Sequence, residues 1–151
     1  MSKQLAAVID IAASPDRVWA VLTDFQAYPQ WNPFIVRADG TPQVGSRLIL
    51  RMQPVGARAV TLKPTVLQAT PGSRLRWLGR LGMPGIMDAE HCFTVESDGA
   101  GGTRVSQTEV FRGVLVPFLA GSLDRHTLPA FVAMNEALKT RVEHASAPVR
   151  G

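Results

Sequence analysis

The sequence predicts an α+β domain in which a curved antiparallel sheet of about six to seven strands wraps around one long C-terminal helix, with two short helices after the first strand. Three observations carry this. Hydrophobic residues alternate with period two in successive segments between residues 34 and 112. Turn signals of hairpin length separate those segments, which makes neighbouring strands antiparallel. Helical spacing then takes over near the C-terminus, where Leu128, Phe131, Asn135, Leu138 and Val142 recur at three and four residues. A sheet with one apolar face has to cover it, and that helix is the long element left to do so.

Lys3–Ile11 ends in β-formers and reads as the first strand. Ser14-Pro15-Asp16 is a helix start: a capping hydroxyl, a proline suited to the first helical position, and a carboxylate at the positive helix end. Val18, Trp19 and Leu22 follow on one stripe. Thr23-Asp24 offers a second cap for a short helix through Phe25 and Tyr28, halted by Pro29, and Trp31-Asn32-Pro33 is a turn. Phe34–Arg37 is a short strand. Arg47–Gln53 alternates, with Leu48, Leu50 and Met52 on one face. Val60–Ala69 reads as one further strand, in which Pro64 marks an edge or a bulge. After the Pro71-Gly72 turn, Ser73–Leu81 sets Leu75 and Trp77 opposite Arg74, Arg76 and Leu78. Met87–Glu96 and Thr103–Arg112 are longer strands joined by a Gly-rich hairpin loop. Gly121 and Pro129 interrupt the front of the last helix and predict a lead-in helix or a kink.

The chain has 151 residues, 46% of them hydrophobic and 19% charged, which suits one globular domain, taken as residues 1–146 with 147–151 a flexible tail. The net charge of +4 is small and spread along the sequence; Arg74, Arg76 and Arg80 share one solvated strand face, and no block predicts binding to nucleic acid or to an anionic membrane. Cys92 is the single cysteine, so no intramolecular disulfide and no Cys-rich metal site is expected. His91, His126 and His144 lack metal-ligand spacing, and no phosphate-loop or dinucleotide fingerprint occurs, so the expectation is no metal and no cofactor. Without a signal-like N-terminus or a long apolar run, a cytoplasmic protein with no integral membrane association is expected, as a monomer or homodimer.

Seven stretches in order carry a resemblance: I-A-A-S-P-D-R-V-W-A-V-L-T-D-F (Ile11–Phe25), Y-P-Q-W-N-P-F (Tyr28–Phe34), L-R-W-L-G (Leu75–Gly79), H-C-F-T-V-E (His91–Glu96), G-T-R-V (Gly102–Val105), E-V-F-R-G (Glu109–Gly113) and A-M-N-E-A-L-K (Ala133–Lys139). The chain resembles the START-like (SRPBCC) superfamily, in particular its polyketide cyclase/dehydrase and lipid-transport branch. The resemblance implies the helix-grip fold and a deep cavity between sheet and helix. It does not settle the chemistry, because the superfamily serves lipid carriers, receptors and cyclases alike.

Strand parity adds candidate site residues. Phe93 and Val95 should face the core, which turns Met87, Ala89 and His91 inward as well. Val105 and Phe111 likewise turn Gln107 and Glu109 inward, and Asn135 falls on the buried stripe of the last helix. Four polar groups on apolar faces form either ligand contacts, an acid/base pair made by His91 and Glu109, or a structural network. Trp31, Met52, Trp77, Met87, Phe93, Phe111 and Phe131 are the candidate apolar walls. Gly82-Met83-Pro84-Gly85 reads as a pliable lid or as an ordinary hairpin connection. Cys92 has the opposite parity to His91 and should face away.

Three functions fit this pattern. The favoured one is a binding or carrier protein for a small, mainly apolar molecule such as a lipid, polyketide or aromatic. The second is a cyclase/dehydrase-type enzyme resting on His91 and Glu109, the single candidate pair. The third is an interaction module similar to the superfamily's chaperone regulators, which would need an exposed apolar patch.

Overall fold

The computed structural model describes residues 2–145; the tail expected at 147–151 lies outside the described residues. Strand β1 (Ser2–Ile11) leads into helix α1 (Pro15–Thr23). The Ser14 hydroxyl accepts from the Arg17 N–H at 3.4 Å, and Pro15 takes the first helical position, where a missing N–H leaves nothing unpaired. Val18 and Leu22 bury their side chains. One 3₁₀ turn (Phe25–Ala27) precedes the short helix α2 (Tyr28–Trp31). Two expectations change here. Pro29 lies in the first turn of α2 instead of ending it, and Asp24 makes no side-chain cap. Tyr28 is buried and its hydroxyl donates to the Leu22 carbonyl; burial pushes its pKa far up.

Strands β2 (Ile35–Asp39), β3 (Ile49–Met52) and β4 (Val60–Leu62) form one antiparallel sheet in that order. The Asn32 Oδ1 accepts from the N–H groups of Phe34 and Ile35, both at 2.9 Å, and so fixes the entry into β2. Strands β5 (Thr65–Thr70), β6 (Arg74–Leu81), β7 (Met87–Ser97) and β8 (Thr103–Arg112) join β1 in a second sheet, ordered β1-β8-β7-β6-β5.

The single strand predicted over Val60–Ala69 is therefore two strands in two sheets. Pro64 has no N–H to offer a ladder, and the chain changes partner there. The sheets stay stitched at that point: the Leu48 N–H donates to the Pro64 carbonyl at 2.8 Å, the Val66 N–H donates to the Ser46 carbonyl at 2.9 Å, and Arg47 bridges Thr65. The predicted curvature is present, carried by two joined sheets.

The C-terminal helical run consists of α3 (Val116–Ser122), one wide turn (Leu123–Thr127) and α4 (Leu128–Ala145). In the wide turn the Leu128 N–H reaches back five residues to the Leu123 carbonyl. Pro129 explains it: a proline donates nothing and crowds the carbonyl four residues earlier, and the wider turn makes room. This is the form the predicted kink takes. Helix α4 lies against β1 and touches α1, α2 and β8. At its far end the Glu143 carboxylate accepts from the Ala12 N–H at 2.9 Å and from Lys139 Nζ at 2.6 Å, and Lys139 also donates to the Asp10 carbonyl at 3.0 Å. The Ala12 bond first, and the Lys139 bond second, hold the Glu143 carboxyl below the usual carboxylate range. The fold is the helix grip: a curved sheet closed on a long helix.

Candidate functional site

Cross-strand rows on the concave face show where the interior is solid and where it is hollow. Trp77 of β6 pairs with His91 of β7, and His91 pairs with Glu109 of β8. The next row on the same face pairs Gly79 with Ala89 and Ala89 with Phe111. Two bulky rings fill the first row; a hydrogen atom and a methyl group stand in their place in the second. The hollow begins at that change of size. It is a pocket of about 450 Å³ between the two sheets and the helical run. Met87, Ala89 and Phe111 line it from the large sheet, Phe34, Met52 and Leu62 from the small one, and Leu119 and Leu123 from the helix. The wall is almost wholly apolar. Glu109, 5% exposed, is the buried carboxyl on it.

Behind Glu109 runs a chain of hydrogen bonds. Gln107 Nε2 donates to Asn135 Oδ1 at 2.9 Å and toward the Phe131 carbonyl at 3.5 Å. That carbonyl decides which way the amide lies, since the opposite orientation would set oxygen against oxygen. Gln107 Oε1 therefore accepts from His91 Nε2–H at 3.0 Å. With that proton placed, one more must lie between His91 Nδ1 and Glu109 Oε2, which are 2.8 Å apart. Either the imidazolium donates to a carboxylate, or a carboxylic acid donates to a neutral imidazole. The His91 ring is wholly buried, stacked on Trp77 at 5.3 Å and edged by Phe93 at 4.6 Å and Phe131 at 5.1 Å. Glu109 Oε1 makes no protein hydrogen bond among the described residues, so the carboxyl keeps an open oxygen on the pocket wall.

Strand parity thus places His91, Gln107 and Glu109 inward, and Asn135 meets them from α4. The four do not share one wall. Of the candidates, Met52, Met87, Glu109 and Phe111 line the pocket. Trp77, His91, Phe93, Gln107, Phe131 and Asn135 pack the solid half of the interior, off the pocket wall. Trp31 stands off it too, beside a shallow outer groove with Arg141 and His144. Phe34, Leu62, Ala89, Leu119 and Leu123 were absent from the candidates. Ala89 was legible from the parity that turned Met87 and His91 inward. Leu119 and Leu123 recur at four residues but precede the stripe used to define the helix. Cys92 faces the other side of the sheet, where Arg74 Nε lies 3.2 Å from its sulfur.

The Gly82–Gly85 loop, which the sequence left as a pliable lid or an ordinary hairpin connection, is tied at its far end to the β8–α3 connection. The Val114 N–H donates to the Gly85 carbonyl at 3.0 Å and the Leu115 N–H to the Ile86 carbonyl at 3.1 Å. Among the described residues no three His, Cys, Asp or Glu side chains gather as a metal site, and no helix is long and apolar enough to cross a membrane.

A helix-grip domain with an apolar pocket between sheet and helix defines a class of protein built around an interior site. The chain belongs to the family described as polyketide cyclase / dehydrase and lipid transport, which it matches over residues 3–143. Comparison with curated proteins gave no significant match. Among solved structures, it is similar to the Zhui aromatase/cyclase of Streptomyces sp. R1128, at 16% identity and a TM-score of 0.76 over 97% of each chain. A norcoclaurine synthase point mutant of Thalictrum flavum, in complex with a transition-state analogue, gives 14% identity and a TM-score of 0.76 over 97% of this chain and 98% of that one. A START superfamily protein of Mycobacterium smegmatis gives 22% identity and 0.69 over 95% and 99%. At these identities the likeness establishes the fold.

Proposed function

We propose that this protein binds one small, mainly apolar molecule in the 450 Å³ pocket, with Glu109 anchoring a hydroxyl group of the ligand. The observation that carries this is the carboxyl itself. It lies nearly buried on an apolar wall, with one oxygen held by His91 and the other facing the pocket. Such a wall with a few polar handles is the usual make-up of a small-molecule site, and the volume falls within the range such sites occupy. Wherever the shared proton sits, it lies between Glu109 Oε2 and His91 Nδ1, so the oxygen facing the pocket carries none and accepts a hydrogen bond from a ligand hydroxyl.

Native mass spectrometry of the purified protein and titration with a neutral fluorescent naphthylamine test this. The dye is expected to bind with micromolar affinity, and Ala89→Phe, which fills the hollow, is expected to abolish binding while the protein stays folded. No binding by the wild type, or equal binding by the variant, refutes the reading.

The shared proton also favours a second reading, an enzyme of the cyclase/dehydrase kind. Here Glu109 takes a proton from carbon beside a ligand carbonyl and returns it to a departing hydroxyl, which leaves as water. The two readings separate on Glu109→Gln: a carrier keeps its ligand, whereas an enzyme loses turnover of a β-hydroxyketone substrate.

A further inference from the structure

We propose that the rim of the pocket is a docking surface for an anionic lipid bilayer. Three segments form this rim: the β6–β7 loop, residues 82–86; the β8–α3 connection, residues 113–115; and the start of α3. The two backbone hydrogen bonds between 114–115 and 85–86 hold the first two together. Gly113 makes the approach possible: its φ is +136°, and an added Cβ would lie 2.3 Å from the Ile86 carbonyl oxygen.

This rim displays large apolar side chains to solvent. Phe118 is 83% exposed, Met83 74% and Val114 65%. Leu81 and Val60, which line the pocket, are themselves about half exposed, so apolar surface continues from the rim into the interior. Solvent-exposed side chains of this size, gathered beside an apolar opening, mark an interaction surface.

Charge says which partner it fits. Lys3 and Arg112 lie at the paired ends of β1 and β8, Arg80 stands opposite Asp88 near the end of β6, Arg125 lies in the wide turn, and Arg58 belongs to the β3–β4 loop, which packs on His126 of that turn. Asp88 and Asp124 are the carboxylates among them, already paired with Arg80 at 3.4 Å and Lys3 at 3.0 Å. Arg58, Arg112 and Arg125 have no carboxylate partner among the described residues and are exposed. At the opposite end of the sheet Arg104 stands among Asp10, Glu96 and Asp98. Apolar side chains ringed by unpaired cations match the interface of an anionic bilayer, where the first enter the acyl boundary and the second meet the headgroups. An apolar ligand is concentrated in that phase and could pass between bilayer and pocket without crossing water. That passage rests on the ligand reading above; the docking does not.

Co-sedimentation with phosphatidylcholine vesicles, with and without about one-third phosphatidylglycerol, tests the docking. The full chain is expected to partition onto the anionic vesicles at least about tenfold more strongly than onto the neutral ones. Phe118→Ser combined with Met83→Ser should weaken that partitioning by at least about tenfold, with unchanged thermal unfolding and unchanged naphthylamine binding in solution. Arg112→Gln with Arg125→Gln should weaken anionic binding by about tenfold and leave neutral vesicles unaffected. Failure of the dye to bind, with vesicle binding still following the rim variants, removes the ligand reading and keeps the docking. Absence of wild-type binding to anionic vesicles overturns it, as does wild-type-level binding by the Phe118/Met83 variant. So does self-association that the same variant abolishes in the absence of vesicle binding, which would make a second copy the occupant.

Discussion

Replacing His91 by alanine and Glu109 by glutamine should separate what holds the interior together from what serves the pocket. His91 is wholly buried and makes hydrogen bonds of 2.8 and 3.0 Å. His91→Ala leaves the Gln107 carbonyl oxygen buried without a donor, a loss of about 1–3 kcal/mol. It also leaves a ring-sized void between Trp77, Phe93 and Phe131, for which large-to-small core changes suggest about 3 kcal/mol more. Glu109 can turn toward the pocket and recover water, so its desolvation adds little. The total is about 4–6 kcal/mol, or about 15 °C in Tm for a chain of this size. Glu109→Gln is nearly isosteric. Its amide donates to His91 Nδ1 as the carboxylic acid does, so the network survives and stability should change by less than about 1 kcal/mol. Urea unfolding followed by tryptophan fluorescence and far-UV circular dichroism measures both. A His91→Ala loss under about 1 kcal/mol would show that the network does not brace the interior. A Glu109→Gln loss as large as that of His91→Ala would show that the ionised pair is the structural element.

Two further outcomes follow from particular contacts. Gly113→Ala meets the Ile86 carbonyl at an adverse φ and should cost at least about 2 kcal/mol, with faster amide exchange across residues 82–86 as the rim loosens. Glu143 has a folded pKa below its unfolded value, so its contribution to stability is complete above the ordinary carboxylate range and disappears as pH falls through the folded pKa. The difference in urea midpoint between wild type and Glu143→Gln should therefore be full at about pH 6 and shrink steadily below about pH 4. A difference that stays constant across that range would show that the carboxylate charge contributes nothing to the clamp on Ala12.

The family and the pocket account for separate properties of this chain. Membership defines the helix grip; the change from the Trp77–His91 pair to the Gly79–Ala89 pair decides where that grip is empty. This bears on the choice between carrier and enzyme. The polar chain from Asn135 to Glu109 reaches the hollow only at its last member, so one carboxyl, backed by one imidazole, is the buried ionisable equipment on the wall, with the half-exposed Arg80, paired with Asp88, at its edge. A carrier needs no more than that anchor. An enzyme would have to run both proton transfers through it.

Sequence alone determined most of what is periodic. Alternation set which face of β6, β7 and β8 is buried, so His91, Gln107 and Glu109 could be turned inward before any distance was known, because a strand's side chains have no third direction to take. Capping chemistry set the start of α1 at Ser14-Pro15, a local matter of unpaired N–H groups. What depends on partners distant in the chain was not legible. The break of one expected strand at Pro64 depends on which sheet each half joins. The division of the interior into a packed half and a hollow half depends on which rows face each other, since parity gives a side but no depth. The basic rim is the clearest case: Lys3, Arg58, Arg80, Arg112 and Arg125 are scattered along the sequence and look like an ordinary excess of charge. Only the return of β8 beside β1, and of the helical run beneath the β6–β7 loop, gathers them around one apolar opening. Burial pattern is local information; adjacency between remote segments is made by the fold.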